Sequence, residues 1–163
     1  MENMETPPRM RLVAEAQMIY KKIAITGSKP MSDSKKLYEL LIRYWNMETI
    51  EWQETFKVLL LNGRRRVLGI FELSKSTMAT IAAYPDFLLF CVPGIPVRSM
   101  VIAHNSPTGS LFPKEADLAL AEKFVTFCKG DRITLQDHLI ISRQGYFSFR
   151  DKGFLANGIC GKR

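Results

Sequence analysis

The residue types best suited to chemistry in this chain lie in one stretch, His104-Asn105-Ser106-Pro107-Thr108-Gly109 followed by Pro113-Lys114-Glu115-Ala116-Asp117. The first run leaves an apolar strand through a Pro/Gly-rich loop, and the second opens a helix. Residues two apart on a strand project to the same side, so positions 104 and 106 face one way, where an acid from the next helix can join them. That is metal-site geometry: two imidazoles and a carboxylate hold zinc, with water in the fourth position. Zinc lowers the pKa of that water, and a nearby carboxylate takes its proton. Each residue also has a purely structural reading. His104 can be a hydrogen-bonded histidine at a strand end, and acids in a first helical turn, such as Glu115 and Asp117, complement the helix dipole.

The elements that must position these groups follow from hydrophobic period and turn chemistry. Ser32 or Ser34 can cap a helix carrying Leu37, Leu40, Leu41 and Tyr44 at helical spacing and ending near Trp45-Asn46. Phe56 to Leu61 predicts a buried strand, Asn62-Gly63 a hairpin turn, and Val67 to Leu73 the returning strand. Thr80 to Ala83 predicts a third strand, Pro85 to Phe90 a short helix, and Met100 to Ala103 a fourth strand running into His104. After Pro113 a second long helix carries Leu118, Ala121, Phe124, Val125 and Cys128 as its apolar stripe. Ile133 to Leu135 and His138 to Ser142 predict two late strands, and Gln144-Gly145 turns into Tyr146 to Phe149. Residues 1–30 predict an arm or an edge strand over 10–25, and 31–163 the globular part. Helices interleaved with strands give an α/β layered domain.

A chain of 163 residues, 47% apolar and 24% charged, is ordinary for one globular domain. Three unpaired-looking cysteines, Cys91, Cys128 and Cys160, fit a reducing compartment, so a cytoplasmic location is expected. Met1 to Ala16 lacks the pattern of a secretory leader, and the longest apolar run, Phe87 to Val92, is too short to cross a bilayer. The formal charge of +7 gathers in Lys21-Lys22, Lys35-Lys36, Arg64-Arg65-Arg66 and Lys162-Arg163. Such groups attract polyanions, nucleic acid among them, although most charge runs are solvated faces.

The stretch around His104 resembles the RadC branch of the bacterial JAB/MPN (JAMM) metallopeptidases, whose signature is His-Asn-His-Pro-Ser-Gly and then Pro-Ser-x-x-Asp. His104, Asn105, Pro107, Gly109, Pro113 and Asp117 match it, with Thr108 a mild change. Glu54, ahead of Thr55-Phe56-Lys57-Val58-Leu59-Leu60-Leu61-Asn62, looks like the family's catalytic acid/base. Arg66 to Gly69, Asp137 to Ile141 and Gly145 to Phe149 are also similar, so the resemblance runs from about Ser32 to Leu155. It implies a curved mixed sheet flanked by helices, the JAB/MPN (cytidine deaminase-like) architecture, with zinc at the edge of a central strand. Wider relatives are zinc isopeptidases that cut ubiquitin-like conjugates, and the RadC branch is traditionally labelled DNA repair.

Two departures matter. The family's second histidine ligand is Ser106, and the serine near its reacting water is Lys114. A neutral hydroxyl is a poor zinc ligand, so His104 and Asp117 alone remain of the triad, and zinc is expected to be weak or absent. Lys114 lies three residues before Asp117 on one helix face, where its ammonium is expected to stand in for the missing cation. His138, the only other histidine, is the lesser candidate for a substitute ligand. The expected function is a catalytically impaired metallopeptidase homologue whose cleft binds a protein or peptide. An active zinc hydrolase with Glu54 as base, and a DNA-associated repair protein, are the rival expectations.

Overall fold

The computed structural model describes residues 29–83, 89 and 94–155. The arm expected at 1–30 falls almost entirely outside the described residues, as does most of the short helix expected at 85–90.

The elements are α1 (Ser34–Arg43), β1 (Thr55–Leu61), β2 (Val67–Ser74), α2 (Lys75–Ala83), β3 (Ser99–Asn105), α3 (Glu115–Gly130), β4 (Thr134–Ile141) and β5 (Tyr146–Ser148). The strands form one mixed sheet in the order β2-β1-β3-β4-β5. Only β3 and β4 run parallel, joined by α3, while the other pairs are antiparallel. The expected mixed sheet between helices is therefore present. Continuous apolar runs in β1 and β3 are buried on both faces, as a central strand between two helical layers requires. One face packs Val58, Leu60, Ile102 and Ile140 under Met78, Ile81, Phe124 and Cys128 of α2 and α3. The other packs Leu59, Leu61, Val101 and Leu139 against Leu37 and Leu41 of α1.

Several expectations need correction. Thr80–Ala83 is the end of helix α2, not a strand: Met78, Ile81 and Ala82 are buried at helical spacing, beneath the sheet. The two late strands are one, β4, carried unbroken through Gln136, Asp137 and His138, all buried. The ladder accommodates them with a bulge, since Met100 pairs with Leu135 but Val101 with Asp137. Helix α1 ends at Arg43, and its cap is Asp33, whose carboxylate accepts from Lys36 N at 2.9 Å, rather than Ser32 or Ser34. On α3, Leu118 is exposed, so the buried stripe is Ala121, Phe124 and Cys128. The hairpin after β1 is present as a longer loop in which Arg65, not Gly63, takes the left-handed conformation (φ 57°). Asn62 Oδ1 accepts from Arg64 N and Arg66 N and holds that loop.

One charge sits deep in the apolar α1 face. The Lys57 side chain is 1% exposed, paired with Glu72 on β2, with its ammonium 5.0 Å from the Trp45 ring centre. Buried pairs return little net energy, but removing one partner leaves the other charge stranded. Lys57→Met should therefore leave stability within about 1 kcal/mol of the native chain, whereas Glu72→Ala should cost on the order of 2 kcal/mol. The second figure is discounted because Glu72 is partly open to water, which can reach the ammonium. Urea unfolding of the two variants checks the asymmetry, and equal losses would contradict it.

Candidate functional site

Strand register builds the site. β1 begins and β3 ends at the same end of the sheet, with Phe56 opposite His104 and Thr55 opposite Ser74. Glu54 therefore stands at the entrance of β1 beside Lys75, which follows directly from β2, and the two form an ion pair at 3.1 Å. Asn105, fully buried at the end of β3, fixes the approach to β1. Its Nδ2 donates to Ile50 O (2.7 Å) and Gln53 O (2.8 Å), and its Oδ1 accepts from Thr55 N at 2.7 Å. All the polar capacity of this amide goes to holding the segment that carries Glu54.

His104 stacks on Phe56, with ring centres 5.1 Å apart. Its Nε2 lies 3.3 Å from Asp117 Oδ1, and its Nδ1 lies 3.0 Å from Nε2 of His138. Asp117 also accepts from the backbone N–H of Lys114 through Oδ2, at 2.8 Å, closing the first turn of α3. His138 is wholly buried, stacked on Phe149 at 4.3 Å. Burial holds both imidazoles below the ordinary histidine range, His138 well below it; near His104, Asp117 and Glu54 pull the other way while Lys114 and Lys75 reinforce the shift.

Two neutral imidazoles in line fix the tautomers. The Asp117 carboxylate accepts, so His104 Nε2 carries its proton. His104 Nδ1 is then a bare lone pair and accepts from His138 Nε2–H. That leaves His138 Nδ1 as an acceptor with no partner among the described residues. A metal on His104 Nε2 would require the opposite arrangement, with a proton on Nδ1 donating to His138 and an N–H on His138 Nδ1 buried without an acceptor. Stranding such a donor costs about 1–3 kcal/mol.

The zinc that the resemblance implies needs three protein ligands. His104 and Asp117 come together as the resemblance implies. Ser106 continues the pairing beside β4, its N–H donating to Ile141 O at 2.8 Å, but it offers only a hydroxyl, which pairs with Thr108 at 3.3 Å. No group of three or more His, Cys, Asp or Glu placed to hold a metal occurs among the described residues. His138 lies behind His104, bonded to its far nitrogen, rather than beside Asp117. The residues do not fit a three-ligand zinc site.

Sequence spacing places Lys114 against Asp117, but the partners of Asp117 are His104 and a backbone N–H, and the Lys114 ammonium acts on His104 only at longer range. The cation that pairs with Glu54 is Lys75, which spacing gives no reason to select. Two exposed aromatics flank the same end of the sheet, Trp52 (84% exposed) before β1 and Phe112 (81%) before α3. A small polar cleft beyond the end of β3 is lined by Glu51, Ser106, Thr108 and Arg143. No helix of the described residues is long and apolar enough to cross a membrane.

A comparison with protein families agrees with this arrangement over most of the chain. The model of the RadC-like JAB domain matches residues 31–154, a span that contains Glu54, His104, Asp117 and every described strand. The chain belongs to the RadC-like JAB domain family.

Proposed function

We propose that this chain is a metal-independent binding module built on the JAB fold, its former catalytic cleft taking an extended protein segment. The observation that carries the reading is mutual closure of the site. Glu54 is paired with Lys75, and the Asp117 carboxylate accepts from His104 and from the Lys114 backbone, so both carboxylates already have partners within the chain. A base engaged in an ion pair and an imidazole with its proton turned toward a carboxylate are poorly prepared to activate water. Trp52 and Phe112 support a binding role, because large exposed aromatics are the usual anchors of protein contacts. Catalytic impairment, a protein or peptide partner and the absence of resident zinc are all parts of this one reading.

Elemental analysis of the purified chain tests it first: substoichiometric zinc after growth in zinc-supplemented medium is expected. Stoichiometric zinc, together with peptide or isopeptide hydrolysis abolished by Glu54→Gln, would instead make the chain an active hydrolase. Trp52 supplies a second readout, since Trp45 is buried and Trp52 is open. A ligand in the cleft should shield Trp52 from acrylamide quenching, and Phe112→Ala should weaken that ligand roughly tenfold or more.

A further inference from the structure

The end of the sheet opposite His104 carries most of the chain's charge excess. There β1 ends, and β2, β3 and β4 begin. Three segments meet at this pole, the loops 62–66 and 94–98 and the end of α3 with the turn after it, 129–133, bringing Arg64, Arg65, Arg66, Arg98, Lys129 and Arg132 together; the acid these described segments carry is Asp131. Five of the chain's seven excess positive charges therefore lie here. All six side chains are exposed, and no ion pair among the described residues includes any of them.

Arg98 joins the loops physically. Its N–H donates to Leu61 O at 2.8 Å and its carbonyl accepts from Thr134 N at 3.1 Å. Its side chain lies over the hairpin turn at Gly63. With strands about 4.8 Å apart, the arginines spread across roughly 15 Å of one surface. Their backbones are also unusual. Arg65 and Arg132 both have φ 57°, a conformation glycine or asparagine adopts with less strain. Side chains kept at a conformational cost tend to mark functional surfaces. By contrast, Lys35 and Lys36, prominent in the sequence, lie on α1 and face Glu39 and Asp33.

We propose that this arginine pole binds the phosphate backbone of duplex nucleic acid without reading sequence. Five of the six cations are arginine, whose planar fork matches phosphate oxygens in a bidentate manner. The three segments contain no aromatic residue, so they offer no stacking platform for single-stranded bases. The pole is remote from the cleft, so this inference stands or falls separately from the binding role assigned there.

The test is fluorescence anisotropy of the whole chain with a labelled duplex of about 20 base pairs, titrated between about 50 and 200 mM salt. The native chain should bind, with log K falling linearly in log salt by about 0.9 for each phosphate contacted. Arg65→Asn/Arg98→Gln/Arg132→Asn, chosen to suit the left-handed positions, should flatten that slope by about 2 to 3 and weaken binding at least roughly tenfold at low salt. Lys35→Gln/Lys36→Gln/Arg43→Gln removes the same charge from α1 and should stay near native. Equal losses in both variants, no duplex binding by the native chain, or binding to phosphatidylserine vesicles in place of duplex would each overturn the proposal. Should the arginine variant misfold, phenylglyoxal footprinting of the native chain decides: duplex should protect Arg98 and Arg132 but not Arg43 or Arg143, and uniform labelling refutes the assignment.

Discussion

Ser106→His combined with Lys114→Ser should give the chain a zinc affinity on the order of 100-fold or more above its native value, read by calorimetry. The expectation starts from ligand count. A second imidazole at 106 would share the face of His104 and bring the protein ligands to three, the number a catalytic zinc site uses. Loss of even an outer partner of a metal ligand costs about 10–100-fold, so gain of a direct ligand should exceed that. Lys114→Ser removes a cation close enough to act on His104. Used alone it also serves as a control, because Lys114 caps α3 without a side-chain bond and serine is a preferred cap. That single change should raise stability by about 1 kcal/mol with no effect on zinc.

The double variant should still fall short of an unhindered site. Metal on His104 Nε2 drives its proton to Nδ1 and strands an N–H on buried His138 Nδ1, the atom that already lacks a partner among the described residues. At about 1–3 kcal/mol, that penalty amounts to roughly 5- to 150-fold in affinity. Zinc uptake by the double variant no greater than by the native chain would mean that the site has diverged beyond its ligands, and the account of Ser106 as the missing donor would fail.

How much of this is legible in the sequence depends on the range of the interaction. The strand runs Val58–Leu61 and Met100–Ala103 announce themselves because burial on both faces demands unbroken apolar residues. The meeting of His104 and Asp117 is legible through the family resemblance, because the local periods bring an acid of the next helix toward the strand end without choosing which one. The end of helix α2 reads as a strand because Thr80-Ile81-Ala82-Ala83 has β-compatible residues, and only its packing under the sheet shows that Met78, Ile81 and Ala82 set the period. The polar run Gln136–His138 looks like a break between strands. It is buried instead, because each of the three side chains finds at least one distant partner: Gln136 donates to Met31 O, Asp137 accepts from Ser148, and His138 meets His104. Asn105 is visible as a motif residue, but its task of holding residues fifty positions away is not. Lys75 beside Glu54, and Arg98 beside the hairpin, are likewise products of strand order, which local pattern does not specify.

Asp137 leads to the second large effect, on stability and its pH dependence. Its carboxyl is buried on β4, accepts from His138 N (2.8 Å) and Arg150 N (3.1 Å) through Oδ1, and from Ser148 through Oδ2 at 2.6 Å. It thereby ties β4 to β5 and the following turn, which carries the Phe149 ring stacked on His138. Asp137→Ala would leave three donors without an acceptor, at about 1–3 kcal/mol for each one that water cannot reach. A loss on the order of 3–5 kcal/mol in urea unfolding is expected. Asp137→Asn behaves differently, because its amide oxygen keeps both N–H donors and the Ser148 hydroxyl can turn to accept from the amide nitrogen.

The comparison of native chain and asparagine variant exposes the titration. Burial pushes the Asp137 carboxyl up to about 6, partly offset by its hydrogen bonds. Between pH about 4 and 6 the folded chain therefore keeps a proton that the unfolded chain has lost, and rising pH destabilises the native fold across that window. Each tenfold difference in proton affinity between the folded and unfolded chain is worth about 1.4 kcal/mol, so the change amounts to about 3 kcal/mol, complete above pH about 6. His104 and His138 act in the opposite sense, since imidazoles held neutral by burial remove stability as pH falls below about 6.5. Both chains contain those histidines, so subtracting one profile from the other cancels them. The asparagine variant should gain about 3 kcal/mol relative to the native chain from pH about 4 to about 6, and then hold level. A flat difference profile would show that the three donors outweigh burial and keep Asp137 an ordinary carboxylate, with β4 anchored by charge throughout.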